Sequence, residues 1–251
     1  MNGAPLRLVA VGDSVSEGVG DPRRGGLHGW VRQLAEHPEL ALAGNLARTG
    51  ARVADVRARQ VGRVVALAPD VVTCTVGVND VLRRGFDAAA FARDHDHVVG
   101  ALTAAARRGV LVMTLHDIGA GLPFPTVALA GLRRRIATAN AVIEQVCREH
   151  GAWVLDARAA PPLGPARMLS VDRLHPNRRG HAYIAGAALD VLRAHGAVGP
   201  GEPAGPGPVG PFTERLAAAV RHVSWLVSAG SIRPPGRARL RRGRPAPTRG
   251  R

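Results

Sequence analysis

Ser14 lies in the string Gly12-Asp13-Ser14, directly after the apolar run Leu6 to Val11 and ahead of a second glycine cluster, Gly18-Val19-Gly20. A serine placed where a buried strand opens into a glycine-bearing turn presents its hydroxyl at the rim of a sheet, the position a nucleophile needs. A hydroxyl is a poor nucleophile at neutral pH and needs a base within hydrogen-bond reach. His175, in Asp172-Arg173-Leu174-His175-Pro176, is the best-placed imidazole. Asp172 precedes it by three residues. It can accept the Nδ1 proton of His175, leave Nε2 facing Ser14, and stabilise the imidazolium that forms during attack. The matching electrophile is an ester carbonyl, which develops an oxyanion when attacked. The backbone amides of Ser14 and Gly50 and the side-chain amide of Asn79, in Gly77-Val78-Asn79-Asp80, would supply three donors to it.

Each of these residues also has a plain structural reading. Gly12-Asp13-Ser14 fits a turn in which Asp13 or Ser14 caps a helix, and Asp13 is expected to hold that turn through side-chain to backbone bonds. Asp80 is expected to be a helix cap, Gly50 can be glycine for its backbone freedom, and Pro176 suits the first position of a following helix. What argues for the chemical reading is where these residues fall on the scaffold. Leu6 to Val11, Leu40 to Leu46, Val71 to Val76, Val110 to Leu115 and Trp153 to Leu155 read as strands, apolar throughout instead of alternating, as strands covered on both faces are. Between them, Gly29 to Glu36, Val53 to Ala66, Ala88 to Arg108, Val127 to Glu149 and Arg178 to His195 read as helices. This alternation predicts a three-layer α/β/α domain with a five-stranded parallel sheet of flavodoxin-like order. Ser14, Gly50, Asn79 and His175 then follow the first, second, third and fifth strands, at the carboxyl edge where open parallel sheets bind ligands.

Composition frames the same reading. A chain of 251 residues with 46% apolar content buries one full core, and the remainder is too short for a second ordinary domain. Residues 1–198 are assigned to the α/β domain and 199–210 to a Gly/Pro-rich linker. Residues 211–232 read as an amphipathic helix, and 233–251 as an arginine-rich tail of disordered composition. Every one of the 34 basic residues is arginine, and the formal net charge is +15. Ten arginines and two glutamates from Gly199 onward place +8 of that charge in the last part. The tail's composition suits an anionic membrane surface or nucleic acid bound without sequence preference.

Cys74 and Cys147 sit in apolar runs and read as buried thiols. No metal-ligand spacing and no cofactor motif is expected. The start of the sequence shows no secretory signal, and no apolar stretch reaches membrane-spanning length, so a cytoplasmic protein is expected. Among the remaining histidines, His95 and His97 read as a solvated helix face, His116 with Asp117 as a lining of the pocket, and His181 as a packing or capping residue. Trp30 reads as core.

Taken together, Gly12-Asp13-Ser14-Val15-Ser16-Glu17-Gly18, Asn45-Leu46-Ala47-Arg48-Thr49-Gly50, Gly77-Val78-Asn79-Asp80 and Asp172-Arg173-Leu174-His175 resemble the blocks of the SGNH hydrolases, also called the GDSL esterase/lipase family. The likeness spans most of residues 6–196. Val15 departs from the leucine that many members carry, a conservative change. The resemblance implies a flavodoxin-like α/β fold, ester hydrolysis without a metal or other cofactor, and Ser14, Gly50, Asn79 and His175 as the four name-giving positions. The expected substrate is a small acyl ester, an acetylated sugar or a lysophospholipid, with an acyl-serine intermediate. The competing reading is a catalytically weak scaffold that acts through its basic tail. Oligomeric state is not encoded in any readable motif.

Overall fold

The computed structural model describes residues 4–23, 25–121, 126–158 and 165–199. The valine- and leucine-rich runs form five parallel strands: β1 (Leu6–Gly12), β2 (Leu40–Asn45), β3 (Val71–Thr75), β4 (Gly109–Met113) and β5 (Trp153–Leu155). Their spatial order is β2-β1-β3-β4-β5. The flavodoxin-like order expected from strand-helix alternation is therefore the one found. β1 lies between β2 and β3, pairing Leu6 with Leu40 on one side and Gly12 with Thr75 on the other.

Among the described residues, seven of the helices position the sheet and its rim. α1 (Ser14–Glu17) and α2 (Gly29–Leu34) follow β1, α3 (Val53–Arg59) follows β2, and α4 (Val78–Val81) and α5 (Ala88–Ala105) follow β3. α6 (Thr126–His150) and α7 (Arg178–Ala194) follow β4 and β5. Because side chains alternate along a strand, Val9 and Val11 face a core shared with α3, α5 and α6. Leu8 and Ala10 face the opposite core, built with Trp30, Val31 and Leu34 of α2 and Ala188, Leu189 and Leu192 of α7. Both faces are covered, which is why the strands carry almost no polar residues.

Three expectations need correction here. The helix read as Val53 to Ala66 is broken at Gln60: α3 ends there, Val61–Val64 forms a separate turn, and Val65–Leu67 is a 3-10 turn. The side chain of Gln60 is drawn into the site below, and its backbone leaves regular helical geometry (φ −110, ψ −47). His95 is not on a solvated face. It is fully buried beside Phe91, whereas His97 is exposed, because positions two apart on a helix point to different sides. Burial pushes the His95 imidazole down to about 4, so it packs as a neutral ring. Pro176 does not open α7. Asn177 caps that helix, its side-chain oxygen accepting the N–H groups of Arg179 and Gly180, and Pro176 bridges to Leu169 instead.

Other readings hold. Trp30 is fully buried, and Cys74 and Cys147 are free, buried thiols. Burial pushes the Cys147 thiol up to about 12 and that of Cys74 further in the same direction. Among the described residues no helix is long and apolar enough to cross a membrane. The amphipathic segment 211–232 and the tail 233–251 lie outside the described residues.

Leu102 of α5 is fully buried in the core that α5 shares with the sheet. Leu102→Ala is expected to lower stability by about 2–5 kcal/mol, through lost transfer energy and the cavity left behind, as measured by urea unfolding.

Candidate active site

β1 ends at Gly12, where the chain turns sharply under the neighbouring strand. Gly12 has φ +135, and a Cβ there would stand 2.1 Å from the Thr75 carbonyl oxygen, so only glycine fits. Its peptide groups are held from the side by Gln60. The Gly12 N–H donates to Gln60 Oε1 (2.8 Å), and Gln60 Nε2 donates to the Gly12 carbonyl (2.9 Å), both buried. Asp13 then caps α1, its Oδ1 accepting the Val15 N–H at 3.0 Å. This is the structural role read from the sequence. It sets Ser14 at the first position of a one-turn helix.

The return segment from β5 supplies the partners. Asp172 Oδ1 accepts the backbone N–H groups of Leu174 and His175, each at 3.0 Å, which folds the loop tightly around the carboxylate. Arg173, between them, takes φ +56, an unfavourable conformation for a side-chain-bearing residue. Asp172 Oδ2 lies 2.7 Å from His175 Nδ1, and His175 Nε2 lies 2.9 Å from Ser14 Oγ. An ionised carboxylate only accepts, so Nδ1 carries the proton, and Nε2 is left to accept the Ser14 hydroxyl. All three side chains are buried. Burial by itself would raise the Asp172 carboxyl. The hydrogen bond and charge of His175, with the two backbone N–H groups, outweigh it and hold the group below the usual carboxylate range.

Asn79 and Gly50 come from the loops on the other side. Asn79 is buried in α4, and one of its amide protons goes to the Ala51 carbonyl at 2.9 Å, tying it to the residue after Gly50. Gly50 is exposed at φ +81. Its loop is fastened to α1 by Glu17, whose Oε2 accepts the Thr49 N–H at 2.6 Å, and to the end of β1 by the Arg48 N–H on the Gly12 carbonyl (3.1 Å). Asp80 caps a helix other than its own, accepting the N–H of Val53 at the start of α3 (3.2 Å).

Sequence reasoning missed Gln60, Glu17 and Asn45. Gln60 stands inside a helical pattern with no local sign that it bonds a strand end 48 positions away. Asn45 donates to the Ser16 carbonyl at 2.6 Å and accepts the Ala47 N–H at 3.1 Å, pinning α1 to the end of β2. Glu17 and Asn45 sit in quoted motif blocks, and that position was the one available signal. His181 behaves as read: Nδ1 accepts the Trp30 N–H (3.1 Å) and Nε2 donates to the Val19 carbonyl (3.0 Å), while burial pushes the ring down to about 4. Gly20 lets this segment press on the other side of the site, since a Cβ there would stand 2.0 Å from the Pro176 carbonyl oxygen. Among the described residues no group of three or more His, Cys, Asp or Glu is placed to hold a metal ion.

Chemically, the arrangement can pass a proton from a serine hydroxyl to an imidazole whose orientation a carboxylate fixes. Behind Ser14, Asp13 Oδ2 is buried with no hydrogen-bond partner, and burial pushes this carboxyl up to about 7, against the opposing pull of the Val15 N–H and the His175 charge.

Two predictions arise from this scaffold. Gln60→Ala is expected to cost about 1–3 kcal/mol, because it leaves the buried Gly12 N–H unpaired while the Gly12 carbonyl keeps only the Arg48 N–H, and to depress turnover by releasing the turn that carries Ser14. Urea unfolding and steady-state kinetics read both effects. Asp13→Asn retains an acceptor for the Val15 N–H and removes a titrating group. Between about pH 4 and pH 7 folded wild-type protein keeps a proton on Asp13 that the unfolded chain releases, so wild-type stability falls with rising pH across this window. The stability of Asp13→Asn relative to wild type should therefore grow from pH 4 to pH 7, by up to a few kcal/mol, and level off above; a gap independent of pH would contradict this.

Residues 10–183 match the model of the GDSL-like lipase/acylhydrolase family. The chain is 29% identical over 213 residues to an acetylxylan esterase of Geobacillus stearothermophilus, an alignment covering 74% of this chain and 94% of that protein. Among solved structures, it is similar to LAE5, an alpha/beta hydrolase enzyme from the metagenome of Lake Arreo, Spain, with 26% identity and a TM-score of 0.63 over 79% of this chain and 99% of that one. It is also similar to a catalytic mutant of Axe2, an acetylxylan esterase from Geobacillus stearothermophilus, with 25% identity and a TM-score of 0.62 over 76% and 95% of the two chains. The chain thus belongs to the GDSL-like lipase/acylhydrolase family, that of the SGNH esterases, and is a carboxylic-ester hydrolase.

Proposed function

We propose that the protein hydrolyses carboxylic esters through an acyl-Ser14 intermediate, with His175 as general base and acid and Asp172 as its orienting partner. The observation that carries this reading is the unbroken line from Asp172 Oδ2 to His175 Nδ1 (2.7 Å) and from His175 Nε2 to Ser14 Oγ (2.9 Å). Ser14 Oγ attacks the acyl carbonyl as its proton passes to His175 Nε2. The tetrahedral oxyanion collapses, the bond from carbonyl carbon to alcohol oxygen breaks, and His175 returns the proton to the departing alcohol. Water then attacks the acyl-serine with His175 again accepting a proton. The carboxylic acid leaves and Ser14 is restored.

The Ser14 and Gly50 amides and the Asn79 side chain are the oxyanion donors in this reading. Neither backbone N–H has a hydrogen-bond partner among the described residues, and Asn79 keeps a second amide proton beyond the one given to Ala51. Donors held before the reaction begins need no reorganisation as charge develops. The likeness to an acetylxylan esterase favours an acetylated sugar as one substrate class. Small acyl esters and lysophospholipids present the same carbonyl.

Hydrolysis of p-nitrophenyl esters, from acetate to long acyl chains, by wild type, Ser14→Ala, His175→Ala and Asn79→Ala tests the reading. Turnover is expected to disappear in Ser14→Ala and His175→Ala. It should fall about 10²–10³-fold in Asn79→Ala, which loses one donor. All variants should keep a folded circular-dichroism spectrum. Turnover that persists in folded Ser14→Ala would remove Ser14 as nucleophile.

A further inference from the structure

The loop that carries Gly50 is exposed from Arg48 to Gly50, and a Cβ on Gly50 would meet nothing within 4 Å. Packing does not hold the tip of this loop; hydrogen bonds do. Among the described residues, every backbone N–H from Ala47 to Val53 has an acceptor except that of Gly50. Ala47 donates to Asn45 Oδ1 (3.1 Å), Arg48 to the Gly12 carbonyl (3.1 Å), Thr49 to Glu17 Oε2 (2.6 Å) and Ala51 to the Arg48 carbonyl (3.0 Å). Arg52 and Val53 donate to the carboxylates of Asp55 and Asp80. The N–H left over is the one an oxyanion requires, and the bond just before it in the chain is made by Glu17.

Glu17 makes that bond from the last residue of α1, the helix that begins with Ser14. Its Oε2 takes both donors of Thr49, the N–H at 2.6 Å and the hydroxyl at 2.5 Å. Hydrogen bonds to an ionised acceptor are stronger than neutral ones. Thr49 is thus held by backbone and side chain at once, and the planar peptide that follows carries the Gly50 N–H. One short helix therefore presents the Ser14 hydroxyl at its first position and a clamp on the residue before Gly50 at its last. A bare carboxylate at the edge of an oxyanion site opposes the charge that develops there. Arg48 offsets it, with its guanidinium 3.6 Å from Glu17 Oε1. We propose that Glu17 is a positioning residue of the esterase, which sets the Gly50 N–H relative to Ser14 Oγ and so acts on the transition state without touching the substrate. The inference rests on the Ser14 reading above, with Gly50 as an oxyanion donor.

The test is steady-state hydrolysis of p-nitrophenyl acetate by Glu17→Ala, Glu17→Gln and Thr49→Val, beside inhibition by phenylboronic acid, whose tetrahedral adduct with a serine oxygen imitates the oxyanion. A misplaced donor weakens only what forms in the transition state. Glu17→Ala should therefore lose about 10–100-fold in kcat, with KM within about twofold of wild type. Its affinity for phenylboronic acid should weaken in parallel. Glu17→Gln keeps one acceptor oxygen and should recover most of the loss. Thr49→Val, a change at an exposed residue, keeps the N–H bond and removes the hydroxyl bond, so kcat should fall severalfold in the same pattern. A role confined to stability would lower the urea midpoint and leave kcat, KM and inhibitor affinity of the folded enzyme at wild-type values. That result in folded Glu17→Ala or Thr49→Val overturns the assignment while Ser14-dependent turnover stands, and so does a rise in KM with kcat unchanged. Turnover that persists in folded Ser14→Ala overturns the Ser14 reading, and the assignment with it.

Discussion

The peptide groups of Gly12 are the point from which the site is assembled. The backbone of β1 leaves the sheet here, pressed so closely on the Thr75 carbonyl that no side chain fits. Buried peptide groups at a strand end must find partners, and here the Gln60 amide satisfies one donor and one acceptor at once. Gly12 also takes the Arg48 N–H, so the segment after β2 and the end of α3 converge on one residue at the end of β1. If that junction shifts, Ser14 shifts with it. The break of the helix at Gln60 is the local cost of this arrangement.

A second constraint acts from the opposite side. Asp172 uses one carboxylate oxygen on its own loop and the other on His175, so the shape of the loop and the orientation of the imidazole are set by the same group. His181 and Gly20 then brace this loop against the segment after α1. The positive φ at Arg173 is tolerated because hydrogen bonds on both sides hold it, including those from Arg173 to Ser170 and from Ser170 to His175. Rigidity around Ser14 suits the proposed reaction: donors and base already in place need not be ordered in its transition state.

Burial beside Ser14 adds an electrostatic feature. Asp13 contributes a cap through one oxygen and leaves the other desolvated, so the fold favours its neutral form over much of the acidic range. In the proposed reaction, a neutral carboxyl behind Ser14 imposes less negative potential on the oxyanion than an ionised one would.

Much of this was written in local patterns. Apolar runs alternating with helical periods determined a parallel sheet covered on both faces, and the positions after successive strands determined that Ser14, Gly50, Asn79 and His175 would meet at one rim. Asp172 was legible because a carboxylate three residues before an imidazole can reach it without help from the rest of the chain. Asp13 was legible for the same reason, as a side chain that bonds the backbone two residues on. The helix boundary at Pro176 was misread because Asn177 competes for the cap, and a cap is decided by which side chain reaches the free N–H groups. Residues whose partners lie far along the chain were not legible at all. Gln60 reaches back 48 positions, Glu17 reaches forward 32, and the buried faces of His95 and His181 exist only once helices have packed. Periodicity and short-range spacing encode what a segment does with its own neighbours; which distant groups share a buried space, and how large that space is, depends on packing, and the tertiary structure alone decided it.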